Sequence, residues 1–247
     1  MKTIFDHYLN GWKNIKDNQL MRCPKLKRKE GELLLTIPYG YSFLDIGAHY
    51  GDTIITMAML AKKNNRNDIR FFAFEPNDVK CIRIRTIAHL NNLNITIFNT
   101  CVGDINGKAS IDDYTRIKKG NLLGDASYQK NPKGRLKITT LNELKDTIEP
   151  IGFIHIDTEG WETAVLQGAS NILSNPINKM ILVVECWDNR TALYQMYKKR
   201  SPGIISPTPE KDILEEVNKY DTIKIGTILE EEYNIFFKVN FSDKGTK

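Results

Sequence analysis

The sequence has few cysteines, and none of them form a close pair. Its four cysteines lie far apart, so no C-x-x-C zinc or redox motif is present. We interpret them as free thiols of a reducing compartment. The sequence also lacks an apolar run near the roughly 20 residues that a membrane-spanning helix needs. The first residues lack the apolar core of a signal peptide. These absences predict a cytoplasmic protein with no membrane span.

Strong charge of one sign is also absent. The net charge is +5 over 247 residues, and basic and acidic residues are interleaved, which does not favour a nucleic-acid partner. With 41% hydrophobic residues the chain can bury a large core, and no Pro/Gly/Ser-rich linker divides it. We therefore predict a single α/β domain over residues 41–247. Residues 1–40 should add an N-terminal helix and a short strand at 33–37 that pack on this core. Nothing in the sequence predicts the oligomeric state.

Short apolar runs alternate with helical patterns from residue 43 onwards. The runs at 43–46, 70–74, 95–98, 136–139, 153–157 and 180–186 predict strands. Helices are predicted at 53–62, 78–90 (with Asp78 as its cap), 141–148, 162–173, 190–199 and 209–219. A hairpin arm is expected at 109–113 and a polar loop at 118–133. Strands at 222–225 and 233–239 predict an antiparallel edge pair. The alternation indicates a mostly parallel sheet with helices on both faces.

The common nucleotide-binding and hydrolase motifs are missing. G-x-G-x-x-G fails because His49 and Asp52 hold the second and third glycine positions, and no G-K-[ST], H-E-x-x-H or G-x-S-x-G occurs. The loop 45–51 nevertheless follows the first strand, where open parallel sheets bind ligands. Gly47 permits a tight turn, and Gly51 permits close approach of the backbone to a ligand.

Glu75 is an acid at the end of the second predicted strand. It follows four apolar residues and precedes Pro76, which fixes the turn. A carboxylate there can accept both ribose hydroxyls of a nucleoside. The alternative is a solvated glutamate at a strand end. With the loop 45–51, Glu75 predicts a nucleoside-like cofactor.

Six short blocks stand out along the chain: DIGAHYGDT (45–53), FEPN (74–77), VGD (102–104), IDTEGWE (156–162), VLQGA (165–169) and VVE (183–185). Together they resemble the FkbM-family methyltransferases in order and spacing. The resemblance implies a class I methyltransferase, Rossmann-like α/β fold, with a mostly parallel seven-stranded sheet and an antiparallel C-terminal edge hairpin. It implies S-adenosylmethionine as the methyl donor, and methylation of a hydroxyl, commonly on a sugar or a polyketide-type metabolite.

The resemblance also implies which residues hold the cofactor. By position, Gly47, Ala48 and Gly51 would border the methionine part, and Glu75 would hold the ribose. Cys101, Val102 and Gly103 would lie along the adenine, with Asp104 near its amino group. The implied cofactor contacts are Asp45, Gly47, Ala48, His49, Tyr50, Gly51, Thr53, Glu75, Pro76, Asn77, Cys101, Val102, Gly103, Asp104 and Asp157. The family usually has Asn where His49 stands and Lys where His155 stands.

The acceptor side should lie at the ends of the fourth and fifth large strands. Catalytic candidates are Glu159, as base or substrate ligand, Asp157 and His155. Substrate candidates are Glu159, Trp161, Glu185 and Trp187, because carboxylates bind sugar hydroxyls and aromatic faces pack on sugar rings. Asp157 and Glu185 could hold a divalent cation through oxygen ligands. The alternatives are structural: Glu159 as a helix cap, Glu162 solvated, and His155, Trp161 and Trp187 as core residues.

Taken together, these features predict a methyltransferase domain over 41–247 that uses S-adenosylmethionine. The predicted reaction is O-methylation of a sugar hydroxyl, with the sugar free, nucleotide-linked or in a glycan. Two alternatives stay open: an RNA ribose 2′-O-methyltransferase, and a non-catalytic module that binds S-adenosylmethionine.

Overall fold

The computed structural model describes residues 28–111, 128–158, 160–185, 210–220, 223–225 and 234–239. The helices are α1 (Arg28–Leu34), α2 (Asp52–Lys63), α3 (Asp78–Leu90), α4 (Lys145–Ile148), α5 (Glu162–Gln167), α6 (Ser170–Ser174) and α7 (Glu210–Val217). The strands are β1 (Ser42–Ile46), β2 (Arg70–Phe74), β3 (Ile95–Phe98), β4 (Cys101–Val102), β5 (Gly107–Ile111), β6 (Tyr128–Lys130), β7 (Leu136–Thr139), β8 (Ile151–Ile156), β9 (Met180–Glu185), β10 (Ile223–Ile225) and β11 (Asn234–Val239).

The main sheet has seven strands in the order β10-β11-β9-β8-β1-β2-β3. The five strands from β9 to β3 pair in parallel. β11 pairs antiparallel with both β9 and β10. The predicted mostly parallel sheet and antiparallel C-terminal pair are thus confirmed, with five rather than seven strands in the parallel run. β10 forms the edge, because β11 lies between it and β9.

Both faces of the sheet are covered, as predicted. Along β1 the side chains alternate, so Phe43 and Leu44 belong to two separate core clusters. The Phe43 cluster includes residues of α1, α2 and α3, and Phe43 contacts the rings of Phe71 and Phe153 at centroid distances of 5.7 and 5.1 Å. The Leu44 cluster includes residues of α4, α5, α6 and α7. The carboxyl ends of the five parallel strands therefore share one edge between two packed helical layers.

A second, smaller sheet lies beside the first, in the order β4-β7-β5-β6. β5 confirms the hairpin arm expected near residue 109, whereas β6 falls inside the segment that was predicted to be a polar loop. The backbones approach closely here, because a Cβ on Gly134 would lie 1.9 Å from the Ala109 carbonyl oxygen. Two-residue and three-residue strands such as β4 and β6 are too short to leave a periodic pattern in the sequence.

The strand predicted at 33–37 is wrong. Residues 28–34 form helix α1, and the chain then turns, with the Thr36 and Ile37 amides donating to the carbonyls of Leu33 and Leu34. The carbonyls of Leu35 and Ile37 accept hydrogen bonds from the Arg66 guanidinium at 2.8 and 3.1 Å. These carbonyls are bound by a side chain and not by a neighbouring strand, which explains the error. The predicted N-terminal helix lies outside the described residues.

Two predicted helices differ in detail. Residues 141–148 form a 3₁₀ turn (Asn142–Leu144) followed by α4. The helix predicted at 162–173 is divided into α5 and α6 around Gly168, where a Cβ would lie 1.9 Å from the Gly103 carbonyl oxygen. The predicted helix at 190–199 lies outside the described residues. Within the part of the chain that the structure describes, no helix has the length and apolarity to cross a membrane.

Candidate active site

The predicted cofactor loop begins where β1 ends. The amides of Gly47 and Ala48 both donate to the carbonyl oxygen of Phe74, the last residue of β2, at 3.0 Å. Gly47 has φ +85°, and a Cβ there would lie 1.8 Å from the carbonyl oxygen of Asp157, which follows β8. Glycine is therefore required at position 47, because the loop crosses directly against the end of the neighbouring strand.

His49 occupies the left-handed region, with φ +51°. Asn, Asp and His are the non-glycine residues most often found there, so His49 keeps the backbone that an Asn would adopt. Burial, together with the charges of Lys80 and Arg83, lowers the pKa of His49 to about 4, and Asp157 opposes the decrease. His49 is therefore neutral at neutral pH.

The next three positions complete the loop and begin α2. The Tyr50 ring packs edge-on against the His49 ring at 4.3 Å, and the Arg83 guanidinium lies 4.6 Å from the Tyr50 ring centroid. Gly51 has φ +87°, and its amide donates to the Ala48 carbonyl at 2.7 Å. Thr53 is half-buried in the first turn of α2. These contacts give the loop one fixed conformation.

Glu75 lies at the end of β2 and is 3% exposed, so the solvated alternative is wrong. Its Oε2 accepts a hydrogen bond from the His49 amide at 2.9 Å, and its Oε1 accepts one from the Asn77 amide at 2.8 Å. Burial raises the pKa of Glu75, while Lys80 and the two backbone hydrogen bonds oppose the increase. A carboxylate has about four acceptor positions, so it can still accept further hydrogen bonds from a ligand.

Pro76 and Asn77 carry the chain from Glu75 into α3. The Asn77 side chain accepts hydrogen bonds from the amides of Val79 and Lys80 at 2.9 and 3.2 Å, so it is the N-cap. The assignment of the cap to Asp78 was therefore wrong by one residue. Because the Asn77 side chain serves the helix, its predicted cofactor contact has no direct support from the geometry. Pro76 is buried in the turn that aims Glu75 into the loop.

The predicted adenine segment lies between the two sheets. Cys101 and Val102 form the buried strand β4, and a Cβ on Gly103 would lie 3.2 Å from the ring of Trp161. Asp104 Oδ2 accepts a hydrogen bond from Lys130 Nζ at 2.7 Å. Asp104 Oδ1 is buried and has no hydrogen-bond partner among the described residues. An unpaired buried acceptor is costly, so this oxygen suits a donor such as a ligand amino group.

Two of the four cysteines lie in the described part of the chain. Cys81 and Cys101 are free and buried, which confirms the free-thiol interpretation for these two. Burial raises the pKa of Cys81 to about 11 and that of Cys101 to about 12, so neither thiol is a nucleophile at neutral pH. Cys23 and Cys186 lie outside the described residues.

Asp45 and His155 form a buried pair beneath the loop. They occupy paired positions of the parallel strands β1 and β8, and His155 Nδ1 lies 2.9 Å from Asp45 Oδ1. Burial alone would lower the pKa of His155, but the hydrogen bond to Asp45 and the charges of Asp45, Glu30 and Asp157 raise it to about 9. His155 is therefore an imidazolium at neutral pH. This contact favours the interpretation of His155 as a core residue.

The segment between β8 and α5 is held by Glu162. Glu162 is 1% exposed, and its Oε1 accepts hydrogen bonds from Thr158 N, Thr158 Oγ1 and Gly160 N at 2.8, 2.9 and 3.2 Å. The alternative that Glu162 is solvated is therefore wrong. The sequence signal for these hydrogen bonds is a glutamate at the start of a helix, four residues after a threonine.

The structure brings together only some of the residues that were predicted to bind the methyl acceptor. Asp157 and Glu185 follow the paired residues Ile156 and Val184, so they leave neighbouring strands at the same level. Trp161 is half-buried and packs on the cluster of Cys101, Ala109 and Ile138. The candidates that lie outside the described residues are Glu159 and Trp187. Within the described ranges, no three His, Cys, Asp or Glu side chains are grouped to hold a metal ion, so the cation at Asp157 and Glu185 stays a prediction.

An open, mostly parallel sheet covered on both faces, with a glycine loop and a buried acid at the ends of its first two strands, defines a doubly wound α/β fold, in which ligands bind at the carboxyl ends of the strands. The family model of the methyltransferase FkbM domain matches residues 45–198, which is more than half of the chain. The chain therefore belongs to the FkbM methyltransferase family, as the resemblance implied.

Three solved structures are among those similar to this chain. The FkbM methyltransferase from Methylobacillus flagellatus KT has 14% identity and a TM-score of 0.49, and the match covers 81% of this chain and 43% of that protein. A SAM-dependent methyltransferase from Aquifex aeolicus has 10% identity and a TM-score of 0.47, with coverages of 85% and 89%. A putative rRNA methylase from Clostridium thermocellum has 10% identity and a TM-score of 0.45, with coverages of 85% and 94%. Comparison with curated proteins found no match.

Proposed function

We propose that this protein is an S-adenosylmethionine-dependent O-methyltransferase that acts on a sugar hydroxyl. The observation that carries the cofactor assignment is Glu75, a buried carboxylate fixed by the amides of His49 and Asn77 at the end of β2. Its remaining acceptor positions suit a pair of ribose hydroxyls.

The residues around Glu75 fit the rest of the cofactor. Asp104 Oδ1 is a buried acceptor that lacks a partner among the described residues and would accept a hydrogen bond from the adenine amino group. The absence of side chains at Gly47 and Gly51 lets the loop pack against Asp157 and against Ile55 and Ile84, in the conformation that would receive the methionine part. When bound, S-adenosylmethionine supplies a methyl group that a hydroxyl oxygen can accept.

The carboxylates at the ends of β8 and β9 would serve the acceptor. Asp157 and Glu185 leave neighbouring strands at the same level, and strands in a sheet are about 4.8 Å apart. Two carboxylates at that spacing can accept hydrogen bonds from adjacent hydroxyls of one sugar ring. A carboxylate that accepts the proton of the reacting hydroxyl gives roughly 10²–10⁴-fold acceleration. We assign that proton to Glu159 or Asp157.

The cofactor assignment can be tested by calorimetry with S-adenosylhomocysteine. In E75Q the amide NH₂ group faces one of the two backbone N–H donors, and the charge is lost, so we expect the Kd to increase by about 10- to 100-fold. The matched control is E143Q, because Glu143 is exposed on the 3₁₀ turn and its side chain accepts none of the bonds described above. Unchanged affinity in E75Q would contradict the role of Glu75. The absence of binding by the wild type would overturn the cofactor assignment and favour a scaffold.

The acceptor class needs a separate assay. The wild type is incubated with methyl-labelled S-adenosylmethionine and, in parallel, with free sugars, nucleotide-linked sugars and glycans. We expect label in one of these classes, with the methyl group on oxygen by NMR. Cofactor binding without transfer to any sugar class would contradict the sugar acceptor and leave RNA ribose methylation and the non-catalytic module as the remaining candidates. Full activity after exhaustive chelation would exclude the cation at Asp157 and Glu185.

A ribose 2′-hydroxyl in RNA is a second candidate acceptor, which one surface feature favours. Two exposed cations, Lys108 and Lys137, lie on strands β5 and β7 of the small sheet, and two more, Lys133 and Arg135, lie in the connection between β6 and β7. Lys108 and Lys137 occupy directly opposite positions of β5 and β7, where like charges destabilise a sheet. A polyanion on this face would offset the repulsion. RNA binding that weakens steeply with salt, and is lost in K108E/K137E, would support this candidate, and salt-insensitive binding would exclude it.

A further inference from the structure

His155 is buried beneath the cofactor loop, and the role inferred for it rests on the proposed binding of S-adenosylmethionine. His155 lies in β8, and its partner Asp45 lies at the paired position of β1. The side chains are 9% and 1% exposed, and His155 Nδ1 is 2.9 Å from Asp45 Oδ1. The imidazole is therefore buried beside the Asp45 carboxylate.

The second oxygen of Asp45 has a different partner. Asp45 Oδ2 accepts a hydrogen bond from the Ile54 amide at 3.1 Å, in the first turn of α2. One carboxylate thus joins β8 on one side to the start of α2 on the other. The residues between these anchors, 46–53, include the whole turn that carries Gly47, His49 and Gly51.

This arrangement needs a cation beside Asp45. A buried carboxylate without an opposite charge is strongly destabilised. Without the His155 cation, the Asp45 carboxylate would be held less firmly, and its hold on α2 through the Ile54 amide would weaken. The charged groups that face His155 are Asp45 of β1, Glu30 of α1 and Asp157 after β8.

We propose that His155 is a positioning residue of the cofactor loop. The hydrogen bond between its Nδ1 and Asp45 Oδ1 holds the Asp45 carboxylate aimed at the Ile54 amide, so that the loop is set in its binding conformation before the cofactor arrives. His155 acts through Asp45 and not on the reacting atoms. Loss of the cation would therefore reduce cofactor affinity by disordering the loop, and any other cation able to reach Asp45 would restore it.

The test compares three variants with the wild type by calorimetry with S-adenosylhomocysteine, below their unfolding temperatures. H155Q removes the cation, and we expect about a 10- to 100-fold increase in Kd, as for one lost charge-assisted hydrogen bond. H155K keeps a cation, and its Kd should stay within about threefold of the wild type. I172A removes buried side-chain volume from α6 on the other face of the sheet, so it should lower Tm without changing Kd.

The outcomes separate this inference from the proposed function. H155Q with wild-type affinity, or H155K as weak as H155Q, would overturn the positioning role. Weaker binding in I172A, in proportion to its lower Tm, would also overturn it, because any loss of stability would then have the same effect. If the wild type itself does not bind the ligand, the cofactor assignment fails instead.

Discussion

Removing the Glu162 carboxylate should destabilise the segment that connects β8 to α5. The carboxylate is buried and accepts hydrogen bonds from Thr158 N, Thr158 Oγ1 and Gly160 N. Hydrogen bonds to charged groups contribute about 1.5–3 kcal/mol each, and a buried donor left without an acceptor costs about 1–3 kcal/mol. Since water can enter the space that truncation leaves, we expect E162A to lower the free energy of unfolding by roughly 3–5 kcal/mol.

The E162Q variant separates charge from geometry. Its amide oxygen can accept the Thr158 bonds, but its NH₂ group replaces Oε2, which accepts from Gly160 N at 3.1 Å. We expect an intermediate loss of roughly 1–3 kcal/mol. The assay is urea unfolding followed by intrinsic fluorescence, with E143Q as an exposed control that should stay within about 0.5 kcal/mol of wild type. An E162A variant within about 1 kcal/mol of the wild type would refute the reasoning.

Three further predictions concern the loop and the pair beneath it. In G47A the added Cβ would meet the Asp157 carbonyl oxygen at 1.8 Å, so we expect a large drop in Tm and loss of S-adenosylhomocysteine binding. The pKa of His155 is raised from 6.5 to about 9. Its pairing with Asp45 therefore contributes on the order of 3 kcal/mol to the free energy of unfolding below pH 6.5. This contribution is lost as the pH rises through about 9. Tm of the wild type should therefore fall between pH 7 and 10 more than that of H155Q, and parallel curves would contradict the pairing. H49N should change cofactor Kd by less than about threefold, whereas H49V should weaken it strongly, because a β-branched residue is strained at φ +51°.

Most of the main sheet could be predicted because its strands are short, apolar and flanked by turn residues. The bounds of β2 and β3 are those expected from the runs at 70–74 and 95–98, and in the smaller sheet the bounds of β7 are those of the run at 136–139. A strand that is buried on both faces is apolar along most of its length. The same runs could not give the order of the strands or identify which strand forms the edge.

The errors arose where a distant residue decides the local structure. The apolar run at 33–37 resembles a strand, yet Arg66 binds its carbonyls from the far end of α2. β6 exists because its backbone pairs with β5, and its three residues leave no pattern of their own. In both places the partner is remote in the sequence, so local propensity carries little information about the fold.

In the site, the sequence predicted single residues better than contacts. Glu75 could be identified from its place after a buried run, but its bonds to the His49 and Asn77 amides depend on the conformation of two turns. The pair of Asp45 and His155 joins residues that are 110 apart in the chain. Recognising it requires the knowledge that β1 and β8 are neighbours, which no local pattern contains.

The two histidines of the site differ from the usual family residues in identity but preserve their physical properties. His49 stands where the family usually has Asn. Both residues tolerate a positive φ. Both are also neutral here, because burial holds the pKa of His49 near 4. His155 stands where the family usually has Lys, and its pKa of about 9 keeps it a cation at neutral pH. The loop therefore keeps a neutral residue at position 49 and a buried cation beneath it at position 155. Because His155 remains a cation beside Asp45, neither difference argues against cofactor binding.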